Sequence, residues 1–169
     1  MVTYEVIVPE DVVASVKDKE LTVKGKLGEL TRRLPVQPKQ DGSRLLFSGA
    51  DSKRSKSLLG TAASHAENMI SGVTSGFRYQ MKLVYAHFPI NIIMQGNQLV
   101  VKNFLGEKSP RFARIETGVK VEVKGQDVSV TGIDVNAVGQ TIANIESATR
   151  VTKRDTRVFQ DGIYLTSRG

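Results

Sequence analysis

Two stretches of this chain are nearly the same stretch. Residues 16–29 (VKDKELTVKGKLGE) match residues 94–107 (MQGNQLVVKNFLGE) at an offset of 78. Leu21/Leu99, Val23/Val101, Lys24/Lys102, Leu27/Leu105, Gly28/Gly106 and Glu29/Glu107 are identical. Six identities in fourteen positions exceed the roughly one expected at ordinary composition. A second block agrees at an offset of 79: residues 59–67 lie over 138–146 and share Gly60/Gly139 and Glu67/Glu146. Two blocks in one order at nearly one spacing mark a duplication, each copy being one supersecondary unit with its own small core. The expected domains are residues 1–79 and 80–169.

Each copy reads as several strands followed by one helix. Residues 3–8 and 12–17 are rich in Val and Ile and read as extended. Residues 20–24 alternate Leu21 and Val23 with Thr22 and Lys24, the pattern of a half-buried strand. Asp18-Lys19 and Gly96-Asn97 occupy the same turn position in the two copies. Asp41-Gly42 and Gly125-Gln126-Asp127 mark turns before further strands at 44–48 and 128–131. The first helix is expected after Asp51 or Ser52, with Leu59, Ala62, Ala66, Met69 and Val73 as its apolar stripe and Gly72 and Gly76 as stops. The second is expected after an Asp134 cap, with Val135, Val138, Ile142 and Ile145 inward. Gly60 and Gly139 inside these helices cost about 1 kcal/mol each against alanine. A close helix–sheet approach would explain them; simple tolerance is the alternative. Residues 77–84 (FRYQMKLV) alternate like a strand, and no Ser/Gly/Pro linker separates the copies. The fold class is therefore α+β: two tandem domains, each a mainly antiparallel sheet packed against one helix.

Charge narrows the partner. The chain of 169 residues carries 24 Lys and Arg against 17 Asp and Glu, a formal net charge of +7. Self-repulsion gains a fold nothing, so such an excess points to a polyanion, either nucleic acid or an anionic membrane. Residues 83–94, the longest apolar stretch, are broken by His87, Pro89 and Asn91 and are too short to span a bilayer. Neither a basic amphipathic helix nor a secretory signal is visible, so no membrane partner is expected. The absence of cysteine excludes disulfides, thiolate zinc sites and a Cys nucleophile, and is compatible with a reducing cytoplasm. The 40% of hydrophobic residues suffices for a core, though with no Trp and 6% aromatics that core rests on Val, Ile, Leu and Ala.

Catalysis lacks its parts. His65 and His87 stand without a carboxylate or second His at metal-ligand spacing, and the acids form no DxD or ExxE pair. Neither GxxxxGK[ST] nor GxGxxG occurs. No enzyme activity, cofactor, metal or small-molecule substrate is expected. Gly25-Lys-Leu-Gly28 matches the GXXG loop that clamps nucleic acid in KH domains, but that loop joins two helices. Here it follows a strand, and its counterpart, Asn103-Phe-Leu-Gly106, has lost the first Gly. A tight turn is the better account.

What the chain does have is cations at the ends of elements. Lys24, Lys26, Arg32 and Arg33 form one group; Lys53, Arg54 and Lys56 crowd the start of the first helix, where they oppose its dipole. In the second copy Lys102, Lys108, Arg111 and Arg114 surround the turn after the repeated strand. Arg150, Lys153, Arg154, Arg157 and Arg168 follow the second helix, offset only by Asp155 and Asp161. Cations on irregular segments can follow the backbone of a folded RNA and neutralise phosphates. Phe104, Phe112, Phe159 and Tyr164 interleave with them; they could stack on splayed bases, but burial in a small core is the expected fate.

Residues 73–90 (VTSGFRYQMKLVYAHFPI), 103–107 (NFLGE) and 157–164 (RVFQDGIY), the last following the basic residues 150–154, carry a resemblance. Over essentially its whole length the chain resembles the large-subunit ribosomal protein family called "L six" in bacteria and archaea and "L nine" in eukaryotes, with the archaeal and eukaryotic branch closest. The resemblance implies two similar α+β domains, no enzyme activity and no cofactor. It implies a structural constituent of the large ribosomal subunit in the cytoplasm, with ribosomal RNA and neighbouring ribosomal proteins as partners. It also implies binding near the translation-factor site, mainly through the C-terminal domain. The bacterial branch has a Lys/Gly-rich signature before its final Ile-x-Tyr. Here Phe159-Gln160-Asp161 stand in place of those lysines, which shifts the expected phosphate contacts to Lys153, Arg154 and Arg157. The expected RNA-binding set is thus Lys102, Lys108, Arg111, Arg114, Arg150, Lys153, Arg154, Arg157, Tyr164 and Arg168. Lys24, Lys26, Lys53, Arg54 and Lys56 form a secondary set toward RNA or protein. A free RNA-binding regulator or chaperone, and a protein–protein adaptor recruiting partners at strand edges, are the alternatives.

Overall fold

Six strands and then a helix, twice over, followed by one last strand, make up the computed structural model, which describes residues 1–169. The chain divides into two units, residues 1–76 and 77–169. In the first, six strands are β1 (Val2–Ile7), β2 (Val13–Lys17), β3 (Glu20–Gly25), β4 (Gly28–Arg33), β5 (Lys39–Asp41) and β6 (Arg44–Gly49). They precede helix α1 (Lys53–Thr74). All pairings are antiparallel, in two three-stranded sheets ordered β1-β6-β5 and β2-β3-β4.

The second unit comprises β7 (Phe77–Val84), β8 (Asn91–Gln95), β9 (Gln98–Lys102), a 3-10 turn (Phe104–Gly106), β10 (Arg111–Arg114), β11 (Val119–Lys124), β12 (Asp127–Gly132), α2 (Val135–Ala148) and β13 (Gly162–Arg168). Its sheets are β8-β9-β10 and β11-β12-β7-β13, again antiparallel. Strand for strand, β7-β12-β11 reproduces β1-β6-β5. The addition is β13, which pairs along the other edge of β7. Strand β7 lies whole in the second unit, so the unit starts three residues before the expected break at 79/80.

Alternation decides which faces are buried. Leu21 and Val23 on β3, and Leu99 and Val101 on β9, are all fully buried at matching positions of the two sheets. Leu45, Phe47, Leu59, Ala62, Ala66 and Val73 complete the first core; Val128, Val130, Val138, Ile142 and Ile145 anchor the second. Helix α1 starts at Ser52, whose Oγ accepts from the Ser55 N–H at 3.2 Å, and α2 at Asp134, whose carboxylate accepts from the Asn136 N–H at 2.9 Å. Each cap satisfies a donor that the first turn leaves free. No helix is long and apolar enough to cross a membrane.

Two expectations change in detail. Gly72 does not stop α1: the helix runs through it, buried, to Thr74, and Gly76 at φ +73° makes the exit. Gly60 and Gly139 are not sites of close approach either, since a Cβ at either would meet nothing within 4 Å; they are tolerated. The close approach lies on the strand side instead. A Cβ on Gly25 would sit 2.7 Å from Val73 Cγ2 and 2.8 Å from its carbonyl oxygen, and one on Gly132 would sit 2.8 Å from Val138 Cγ2. Gly25 pairs with Gly28 across a two-residue turn joining β3 and β4, so the GXXG segment is a hairpin.

Candidate nucleic-acid interface

The added strand β13 has a consequence for charge. The chain must travel from the end of α2 to the start of β13, and residues 149–161 do this as an irregular segment. Thr149, buried, pins both ends: its Oγ1 donates to Ile145 O at 3.2 Å in α2 and accepts from the Ile163 N–H at 3.2 Å in β13. The Leu165 N–H adds a bond to Glu146 Oε1 at 3.2 Å. Between these anchors Arg150, Lys153, Arg154 and Arg157 are all exposed, and Lys153 takes the left-handed conformation at φ +60°.

Of these four, Arg157 is the one with a carboxylate partner. Its Nε and Nη2 donate to Asp155 Oδ1 and Oδ2 at 3.1 and 3.0 Å, and its backbone N–H to Oδ1 at 2.9 Å. The side-chain hydrogen bond first, and the backbone bond second, hold the Asp155 carboxyl below its ordinary value, and the same bond raises the guanidinium. Arg154 instead lies over the Phe159 ring, 4.9 Å from its centroid, a cation–π contact rather than an ion pair. Phe159 in turn meets the His87 ring at 5.5 Å. Next to this segment is an open cleft of about 500 Å³ lined by Glu146, Arg150, Phe159 and Tyr164 among others.

Arg111, expected among the RNA contacts, is occupied internally. Its Nε and Nη2 donate to Glu107 Oε2 and Oε1 at 2.8 and 2.6 Å, while Nη1 donates to Ala148 O at 3.1 Å and Arg150 O at 2.9 Å. The guanidinium stands 4.3 Å above the centroid of the buried Phe104. A planar group with five donors is suited to such a strut. It ties the 3-10 turn and β10 to the end of α2. Glu107 is accordingly held below its ordinary value, first by the Arg111 hydrogen bond, with the charges of Arg111 and Arg154 adding and burial opposing.

The other expected residues stay at the surface. Lys102, Lys108 and Arg114 are exposed around β9 and β10, with Arg114 reaching Glu116 only at 3.9 Å. Arg168 is exposed on β13; the Tyr164 hydroxyl is within reach of Gln160 O at 3.2 Å and Asp161 O at 3.3 Å, its ring half-exposed. In the first unit Lys24, Lys53 and Arg54 are exposed, whereas Lys26 pairs with Asp11 at 3.1 Å and Lys56 with Asp51 at 2.7 Å. Such surface pairs are worth little, but they offset charge locally.

Besides Arg111, three residues run against expectation, Tyr164 among them through its half-exposed ring. Asp161 is fully buried, and neither carboxylate oxygen accepts a hydrogen bond from the protein. Phe112, expected in the core, is 55% exposed, because Ala113 takes the inward position of β10 and turns its neighbour out. Phe104 is buried and Phe159 partly so.

The chain is thus a twinned α+β scaffold whose second unit displays exposed cations on a segment pinned at both ends. Comparison with known proteins places it more closely. The family model described as Ribosomal protein L6 matches residues 8–76 and 88–162, one match in each unit. The large ribosomal subunit protein uL6 of Methanocella arvoryzae is 46% identical over 169 residues, covering 97% of this chain and 96% of the relative. That of Aeropyrum pernix is 46% identical over 172 residues, covering 99% and 94%. That of Haloarcula marismortui is 43% identical over 170 residues, covering 98% and 96%. The chain belongs to the ribosomal protein L6 family.

Proposed function

We propose that this protein is a structural constituent of the large ribosomal subunit, docking on folded ribosomal RNA near the translation-factor site, mainly through its second unit. The observation that carries the RNA reading is the set Arg150, Lys153 and Arg154: exposed, without a carboxylate partner, and held on a segment anchored at both ends by Thr149. Anchoring limits the conformational entropy lost when those side chains meet phosphates. The first unit lacks any counterpart to this segment, since its sheet ends without the extra strand, which supports the preference for the second. The factor-site location rests on the family resemblance. Ribosomal RNA and neighbouring ribosomal proteins are the partners, and the cytoplasmic ribosome is the location.

Filter binding to a transcript of large-subunit ribosomal RNA across a salt series tests the reading. Lys153→Ala and Arg154→Ala should each weaken binding and reduce the salt slope by about 0.7–0.9 units, the value for one phosphate contact. Arg157→Ala should change the slope less, because Asp155 already offsets that charge. Wild-type slopes in both Lys153→Ala and Arg154→Ala would overturn the assignment.

A further inference from the structure

The duplication supplies an internal control for what a solvent-facing sheet row should look like. In the first unit the outward side chains at the middle of β2-β3-β4 are Ser15, Thr22 and Thr31, in one register row. The Thr22 and Thr31 hydroxyls are hydrogen-bonded at 3.1 Å. This is the polar surface that water requires. The same row of β8-β9-β10 holds Ile93, Val100 and Phe112, aligned by the pairs Ile93↔Val100 and Phe112↔Val100. Ile93 is 45% and Phe112 55% exposed. Val100 between them is buried, yet it lies outside the core cluster that takes its neighbours Leu99 and Val101. One copy of the same sheet has thus replaced three hydroxyls with three apolar groups on its outer face.

The surroundings of this row select its occupant. On one side lies Lys102; on the other lies Arg114, with Glu116 only at the 3.9 Å limit. The remaining outward strand positions are the amides Asn91, Gln95 and Gln98, so no outward position of the three strands is a carboxylate. Phe112, Arg114 and Glu116 also line an open cleft of about 490 Å³, with Asn144, Ser147 and Ala148 of α2. An exposed ring bracketed by cations and amides matches a polyanion with flat apolar faces. A purely apolar protein surface would leave the two cations unmatched.

We propose that the Ile93–Val100–Phe112 row is a stacking platform for an unpaired nucleotide: its base lies on Phe112, its sugar on Ile93 and Val100, and its flanking phosphates at Lys102 and Arg114. Sheet aromatics receive splayed bases in this manner in single-strand RNA readers. This deepens the RNA reading above and rests on it.

The full-length chain and a transcript of large-subunit ribosomal RNA test it. Phe112→Ala should weaken binding about ten- to a hundredfold, the range for loss of one stacked base. The salt slope should stay as in wild type, because no charge is removed. Phe112→Leu, which keeps apolar area but not the ring, should lose nearly as much, while Phe112→Trp should bind as tightly as wild type. Thermal melting should place all three variants close to wild type, since the side chain is exposed. Wild-type affinity in Phe112→Leu, or in Phe112→Ala, overturns the platform. If Lys153→Ala still lowers the slope in that case, the general RNA reading stands without it. Unchanged RNA affinity with loss of a neighbouring protein from reconstituted subunits would give the face to a protein and overturn the proposal. No binding of the wild-type chain to the transcript overturns both.

Discussion

Replacing Leu99 with alanine will lower the stability of the second unit by about 2–5 kcal/mol, the range for deleting a fully buried leucine side chain. Leu99 is on β9, the central strand of its sheet, with no accessible surface, and it packs within the cluster containing Leu83, Phe104 and Ile115. A central strand has partners on both sides, here β8 and β10, so the structure cannot collapse easily into the vacated space. Total stability of a small unit is about 5–15 kcal/mol, so the loss is a large fraction of it. Leu21 occupies the duplicate position on β3 with the same complete burial, and Leu21→Ala should cost the first unit a similar amount. Urea unfolding followed separately in each unit measures both. A loss under about 1 kcal/mol at either site would mean that the duplicated core is not packed as described.

Arg111→Ala should cost about 2–4 kcal/mol, an effect of the size seen when hydrogen-bonded charge networks lose one member. Four hydrogen bonds and a ring contact vanish together, and the carbonyls of Ala148 and Arg150 lose a donor. Arg111→Lys should recover only a minor part, because an ammonium cannot span two carboxylate oxygens and two carbonyls at once. The effect should also fade in acid. Glu107 is held below its ordinary value of 4.5, chiefly by Arg111, so its contribution is complete above that pH. It is lost as pH falls through the lower folded-state value. Unfolding curves of wild type and Arg111→Ala should therefore draw closer as pH falls below 4.5 without meeting, because the two carbonyl bonds and the ring contact do not titrate. Equal stability at neutral pH would show that the strut carries no weight.

These two residues also show where the sequence was legible. Leu21 and Leu99 were readable because the repeat and period-two alternation coincide on them, and caps such as Asp134 because the polar residue directly precedes an apolar stripe. Strands such as β5, whose three residues are all exposed, and β10, with four residues, lack enough inward side chains to leave a period. Pairing of β13 with β7 joins residues about eighty apart, which no local pattern encodes. The internal bonding of Arg111 is hidden from the sequence for the same reason: two of its acceptors lie 37 and 39 residues away. The spacing Glu107–Arg111 was the available clue, but four residues apart signals an ion pair only on a helix. Phe112 was misjudged because aromatics are usually buried, whereas strand register turned Ala113 inward and left the ring outside.

Charge displayed on one anchored segment, residues 150–154, is what we propose holds this protein on the large subunit. Sedimentation of ribosomal subunits after a high-salt wash, from cells carrying either the wild-type chain or the combined Arg150→Ala, Lys153→Ala, Arg154→Ala variant, tests it most directly. The wild-type chain should travel with the large subunit, and the variant should be stripped from it into the free fraction. A variant retained as firmly as wild type, or a wild-type chain found free of subunits, would contradict it.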